Sequence, residues 1–189
     1  MKAANGASFP RKSSRDTELT EGLSLPGLLV LLGLGVAAVA LHNTLNRDLR
    51  LPGNEGLAWM ALLMAARSTS RFRWAATVSS IGAAAVSPLP LWGFSDPFIA
   101  LIYLLPGPIM DLGYRLAGPL QERLWFLALL GGLAHASKPV ARMLITVASG
   151  WPYGSFLHGF GYPLASHIFF GVVGASLGVV AIRVARRAR

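Results

Sequence analysis

Six long stretches with very few charged residues constrain this chain more than any other feature. They cover residues 25–41, 56–66, 74–91, 97–114, 124–148 and 163–184. A helix needs about 20 mainly apolar residues to cross the hydrocarbon core of a bilayer. Backbone polar groups must also be satisfied within the segment, which favours helices over irregular structure in lipid. The sequence therefore predicts an all-α membrane protein built as a bundle of six transmembrane helices.

The overall composition supports this fold class. Hydrophobic residues make up 53% of the chain and charged residues 13%, whereas a soluble globular protein has roughly 25% charged residues. The absence of cysteine excludes a disulfide framework, thiolate metal sites and a thiol nucleophile. We expect residues 1–22 to form a disordered cytoplasmic tail and residues 23–189 to form the transmembrane domain, with the first apolar run retained as an uncleaved helix.

The positions of lysine and arginine predict the orientation. Four lie in the tail, three between the second and third runs, two between the fourth and fifth, and four at the C-terminus. Only Arg47 and Arg50 fall on the opposite side. Positive residues concentrate in cytoplasmic segments, so we expect both termini in the cytoplasm and the protein in the cytoplasmic (inner) membrane. The net charge of +9 is then explained by the orientation of the protein in the membrane lipids, and it does not indicate nucleic-acid binding.

The fifth run carries an unusual set of ionisable residues. His135, Lys138 and Arg142 follow the spacing i, i+3, i+7, which places them on one stripe of a helix. At 1.5 Å per residue, Lys138 lies about 22 Å and Arg142 about 28 Å beyond Arg123, in the outer half of the membrane. Because ionisable groups are costly inside a bilayer, the stripe predicts a ligand site. The alternative is that the two cations reach the outer headgroups.

Further candidates come from the neighbouring runs. His167 lies on the sixth run, on a stripe with several glycines, and serves either in ligand contact or in a structural hydrogen bond. Glu55, Trp59 and Tyr103 are the remaining predicted ligand contacts. Asp111 is placed toward the cytoplasm, where a local i,i+4 pair with Arg115 is favoured. The outer cluster then keeps excess positive charge, which predicts a carboxylate- or phosphate-bearing small molecule.

Several functions lack their usual sequence signals. There is no Walker A motif and no zinc-protease motif, and the four histidines include no pair with metal-chelating spacing. We therefore expect no metal site, no cofactor and no ATP hydrolysis by this chain alone. A nucleophile, base and orienting group do not assemble either, so we expect the chain not to be an enzyme.

The architecture resembles the substrate-binding S component of energy-coupling factor transporters. The resemblance covers residues 25–188 through six short helices and structured outer loops, and through Gly33-Leu34-Gly35-Val36-Ala37, which is similar to the family's Ala-x-x-x-Ala motif. The resemblance implies capture of a vitamin-like micronutrient from outside the cell. It also implies a membrane T component that docks at Gly33 and Ala37, and cytoplasmic ATPase subunits.

Two other functional classes stay open at this point. One is an intramembrane enzyme acting on a lipid or small anion, with His135 or His167 as base. The other is a noncatalytic scaffold subunit that docks a larger complex through its small residues. The proline- and aromatic-rich outer loops likewise have two interpretations, an interfacial aromatic belt or a lid over an outward-facing pocket.

Overall fold

The computed structural model describes residues 23–49, 51–157 and 159–188. Within them the chain forms seven α-helices joined by turns and three short 3₁₀ segments, and these residues contain no strand. The helices are α1 (Leu25–Leu49), α2 (Gly56–Thr69), α3 (Ala75–Val86), α4 (Ile99–Leu104), α5 (Pro106–Leu116), α6 (Leu124–Ser149) and α7 (Gly161–Arg187). The predicted tail, residues 1–22, lies outside the described residues.

The helices coincide with the six predicted apolar runs, so the all-helical class is confirmed. The predicted fourth run is divided into α4 and α5 at Leu105. Proline lacks the backbone N–H that a continuous helix needs, and Pro106 begins the second piece as a favourable first-turn residue. The two pieces together form one apolar segment of 18 residues, Ile99–Leu116.

Among the described residues, four segments are long and apolar enough to cross a membrane, which is compatible with a membrane protein. They are Leu25–His42, Ile99–Leu116, Leu124–Ser149 and Gly161–Arg187. At 1.5 Å per residue, α2 is about 21 Å long and α3 about 18 Å, whereas the hydrocarbon core is about 30 Å thick. The count of six spans and the cytoplasmic placement of both termini therefore remain predictions.

The α2 helix lies in the interior of the bundle. Trp59, Met60, Leu63 and Met64 of α2 are at most 1% exposed and form the centre of the apolar core. α2 packs mainly against α7, α3 packs mainly against α1, and α6 packs along α7. A short helix that is enclosed by longer ones satisfies its ends within protein, where they do not meet lipid.

The predicted glycine stripe of α7 is a packing face. A Cβ atom placed on Gly174 or Gly178 would collide with the backbone of α2, and one placed on Gly171 would collide with α6. Small residues at these crossings allow the backbones to approach closely. This close packing fixes the position of α7, and with it the position of His167.

A buried carboxylate joins α2, α3 and α5 at the end of the bundle where α2 ends and α3 begins. Asp111 is 0% exposed and accepts hydrogen bonds from Arg67 at 3.2 Å and from the backbone N–H groups of Ala76 and Thr77 at 3.2 Å and 2.7 Å. It thus serves the free amides at the start of α3. The favoured local pair with Arg115 does not form, because the Arg115 guanidinium instead lies over the Trp74 ring at 5.3 Å.

Candidate functional site: a charged pocket beneath the loops

A pocket of about 540 Å³ opens beneath the loops at the end of the bundle that holds Glu55 and Arg142. Helices α1, α4 and α6, the turn before α2 and the loop around residues 93–96 form its walls. The lining residues are His42, Leu51, Pro52, Gly53, Glu55, Gly93, Phe94, Ser95, Asp96, Ile99, Ile102, Tyr103, Lys138, Arg142 and Ser155. The lining is mixed, with aliphatic and aromatic walls and four charged side chains.

Lys138 points into the bundle and is almost completely buried. It is 1% exposed, and its Nζ lies 3.5 Å from the Glu55 carboxylate. The same Nζ lies 4.3 Å from the Tyr103 ring centroid and 5.8 Å from that of Trp59. Aromatic faces and one carboxylate therefore replace the water that a buried ammonium loses.

A tight turn brings Glu55 to this position. Gly53 adopts a φ of +79°, which glycine populates without steric cost, and a Cβ there would lie 2.8 Å from the His167 ring. Glu55 occupies the N-cap position of α2 but makes no side-chain capping bond. Its carboxylate is therefore available to Lys138, which lies 83 residues further along the chain.

Arg142 and the rim loops form the outer part of the pocket. The Arg142 guanidinium lies 5.5 Å from the centroid of the Tyr153 ring, and the Tyr153 hydroxyl donates to the Asp96 carboxylate at 3.1 Å. Burial and the adjacent Asp96 carboxylate raise the pKa of Tyr153 to about 12. The hydroxyl therefore stays protonated at physiological pH and ties the two outer loops together over the pocket.

Arg142 differs from Lys138 in its partners. Among the side chains that the structure describes, no carboxylate forms an ion pair with Arg142, and its buried Nε lacks a hydrogen-bond partner. A guanidinium presents a planar fork of donors that matches a carboxylate or phosphate group. Arg142 is therefore the group at this site best suited to meet an anion.

The two histidines lie behind Glu55, out of the pocket lining. The rings of His135 and His167 are 4.8 Å apart between centroids, and both side chains are at most 1% exposed. His135 bonds to the Gly53 carbonyl at 3.1 Å and His167 to the Pro163 carbonyl at 2.7 Å. The predicted structural hydrogen bond of His167 is thus present, and direct contact of either ring with a pocket ligand stays a prediction.

The structure brings all seven predicted ligand residues into one neighbourhood. Lys138, Arg142, Glu55 and Tyr103 line the pocket, whereas Trp59 lies behind Tyr103, with its ring at 5.6 Å. The expected excess of positive charge is wrong for the pocket as a whole. Glu55 and Asp96 balance Lys138 and Arg142 in the lining, because the chain fold brings both carboxylates to the same cavity.

Sequence reasoning missed several lining residues. His42 shares a 3.0 Å hydrogen bond with the Tyr103 hydroxyl, and Phe94 packs on the His42 ring at 5.1 Å. Asp96 also lines the pocket, and its carboxylate accepts a hydrogen bond from the Phe98 N–H at 2.9 Å. The concentration of aromatic residues in the outer loops was the available signal, but it did not specify which rings face inward.

The predicted docking residues lie on the outside of α1. Gly33 has no atom within 4 Å of the position a Cβ would take, and Gly33 and Ala37 are both exposed. Gly35, between them, packs instead against the backbone of α3 at Ser79. α1 therefore presents one small-residue face outward and uses another within the bundle.

Comparison with known proteins returned no match: no family, no curated protein and no solved structure is similar to this chain. The interpretation of the site therefore rests on its geometry.

Proposed function

We propose that the chain is the membrane-embedded substrate-binding subunit of an uptake transporter of the energy-coupling factor type. Its substrate is a small, vitamin-like molecule that carries an anionic group. The observation that carries this proposal is Arg142, a guanidinium that lines a cavity and forms no ion pair with a described carboxylate. Lys138, by contrast, is already balanced by Glu55 and serves mainly to set the charge of the pocket floor.

The dimensions and lining of the cavity support a small-molecule ligand. Pockets for such ligands usually measure about 300–1,000 Å³ and combine apolar walls with a few polar groups, and this pocket, at about 540 Å³, has both. Tyr103 and Phe94 offer ring faces, and Asp96 offers a second, negative contact. The substrate that fits best has a ring or aliphatic body and an anionic group directed toward Arg142.

The proposed transport role also needs orientation and partners. In this proposal six spans place both termini in the cytoplasm of the inner membrane, so the pocket faces outward and the rim loops close over it. The distribution of basic residues supports this orientation. The exposed face at Gly33 and Ala37 docks a T component, and separate ATPase subunits supply energy because the chain has no nucleotide-binding motif.

The test is retention of small molecules by Arg142→Gln in comparison with a matched control, Arg123→Gln. Arg123 is the N-cap residue of α6, at the opposite end of that helix, and its side chain is exposed. Wild type and both variants are extracted gently from native membranes, and bound small molecules are identified by mass spectrometry. We expect an anionic compound in the wild type and in Arg123→Gln, and its loss in Arg142→Gln. Equal retention in the two variants contradicts the proposed site.

The same preparation separates the transporter from the other functional classes. Co-purification of ATPase subunits with the ligand supports uptake. Turnover of the bound compound by the isolated chain supports an intramembrane enzyme, and a stable partner without any ligand supports a scaffold subunit. Either of the last two results refutes the proposed function.

A further inference from the structure

Three buried side chains with metal-binding groups converge behind the pocket floor. Glu55 precedes α2, His135 lies on α6 and His167 lies on α7. One ligand atom from each lies within 4.8 Å of the other two, and the three residues are 6%, 0% and 1% exposed, respectively. Three separate elements are therefore held together around a single point in the core of the bundle.

The hydrogen bonds of the two imidazoles define which nitrogens are free. His135 Nε2 meets the Gly53 carbonyl and His167 Nδ1 meets the Pro163 carbonyl. A carbonyl oxygen only accepts, so these two nitrogens carry the hydrogens. His135 Nδ1 and His167 Nε2 then bear lone pairs, and neither has a hydrogen-bond partner among the described residues. Metal-bound histidines usually show this arrangement, with the second ring nitrogen donating to a carbonyl or carboxylate.

The free nitrogen of His167 faces a group that cannot satisfy it. His167 Nε2 lies 3.9 Å from Glu55 Oε1, so an imidazole lone pair and a carboxylate oxygen, both acceptors, approach each other in a buried site. Lys138 reaches the carboxylate at 3.5 Å, but the unpaired nitrogens remain. Unpaired polar groups are costly to bury, and one cation between the three side chains would satisfy all of them.

We propose that His135, His167 and Glu55 bind a divalent transition-metal ion of the zinc class. Two imidazoles and a carboxylate are a characteristic zinc donor set, whereas Ca²⁺ and Mg²⁺ prefer oxygen ligands. Zinc bonds of about 2.0–2.2 Å require the ligand atoms to move inward by less than about 1 Å each. Because Glu55 also lines the pocket, the proposed metal site adjoins the cavity.

This site goes beyond the proposed function and does not depend on it. The sequence predicts no metal site, because no two of the four histidines have metal-chelating spacing. His135 and His167 lie on different helices, and Glu55 precedes a third. Their proximity arises only from the packing of α2, α6 and α7.

The test uses the purified full chain in detergent, treated with a chelator and then titrated with Zn²⁺ alone against a chromophoric competitor. We expect one Zn²⁺ per chain. Mutation of a residue that only hydrogen-bonds to a metal ligand usually lowers metal affinity roughly 10–100-fold. Because His167→Asn and Glu55→Gln each remove a ligand, the Zn²⁺ affinity of both variants should fall by more than this. Arg123→Gln, at the opposite end of α6, is the control and should bind as the wild type does. No Zn²⁺ binding by the folded wild type, or equal binding by Glu55→Gln, overturns the proposal.

Two further measurements test the metal site even if His167→Asn or Glu55→Gln fails to fold. X-ray absorption of the Zn²⁺-loaded wild type should show scattering from two imidazole rings, and its absence overturns the assignment. In Lys138→Met the competing cation near Glu55 is removed, so Zn²⁺ affinity should rise at least about tenfold. An unchanged or lower affinity in folded Lys138→Met counts against the site. Ligand retention by Arg142→Gln is measured separately, so failure of the metal site and failure of the proposed function remain distinguishable.

Discussion

Replacement of Asp111 by asparagine removes the buried negative charge that links α5 to α2 and α3. The carboxylate accepts hydrogen bonds from the Arg67 guanidinium, from two backbone N–H groups at the start of α3 and from the Thr77 hydroxyl at 2.7 Å. Asparagine has the same shape and keeps one acceptor oxygen. Its NH₂ group, however, replaces the second oxygen and faces N–H or O–H donors with which it cannot form hydrogen bonds. Arg67, 6% exposed, is left as a buried cation without its counter-ion.

The magnitude follows from the burial of this ion pair. Removal of one partner of a buried pair costs about 3–5 kcal/mol. Because asparagine still accepts one hydrogen bond, we expect a value near the lower end, about 3 kcal/mol. For a chain of 150–250 residues each kcal/mol lowers the Tm by about 2–4 °C, so the expected fall in Tm is about 6–12 °C.

The assay is thermal unfolding in detergent, followed by intrinsic fluorescence of the five tryptophans. The matched control is Arg115→Met, because the sequence favoured Arg115 as the partner of Asp111. Arg115 is exposed, and its guanidinium lies over the Trp74 ring. Loss of such a cation–π contact costs about 0.5–1 kcal/mol, so the control Tm should fall by only about 1–4 °C.

The comparison of these variants decides between the local and the long-range pair. If Arg115→Met lowers the Tm as much as Asp111→Asn does, the local i,i+4 pair is correct and the observed network is not. A fall of less than about 2 °C in Asp111→Asn would also refute the reasoning, because a buried ion pair costs more to break than such a shift implies.

The remaining predictions concern the rim of the pocket and the packing of α1. Below pH 10 the Tyr153 hydroxyl should hold Asp96, and its contribution to stability should be lost as the pH rises between about 10 and 12, since its pKa is raised to about 12. The pKa of Tyr153 is measured as the difference in tyrosinate absorbance between the wild type and Tyr153→Phe during a pH titration. If the titration step that the variant lacks is centred near pH 10, the raised pKa is contradicted. Gly33→Leu should leave the Tm unchanged but weaken copurification of partner subunits, because no atom lies near its Cβ position. Gly35→Leu should lower the Tm or prevent folding, because its Cβ would collide with the Ser79 backbone; equal stability of the two glycine variants contradicts this packing.

Much of the helical architecture could be predicted from the sequence because apolar runs act locally. A helix satisfies its own backbone within one segment, so length and hydropathy are enough to locate it. The division between α4 and α5 was also present locally, in Pro106. The length of the second apolar run did not reveal that α2 is enclosed by longer helices, since enclosure depends on which neighbours pack around it.

The candidate site could be predicted only in part. The stripe of His135, Lys138 and Arg142 followed from helical spacing, and the structure places Lys138 and Arg142 at the cavity. Their partners did not follow. The Glu55 carboxylate reaches Lys138 across 83 residues, and the Tyr153 loop reaches Asp96 across 57 residues.

The sequence by itself thus determined where the helices lie and which residues carry charge along each one. Only the tertiary structure decided how those charges are paired. Asp111 had a cation four residues away and instead contacts Arg67, 44 residues distant, because the packing of α5 against α3 buries the carboxylate beside unsatisfied amides. Helix formation depends on neighbours in the chain, whereas the cost of burying a charge depends on whatever the fold places around it.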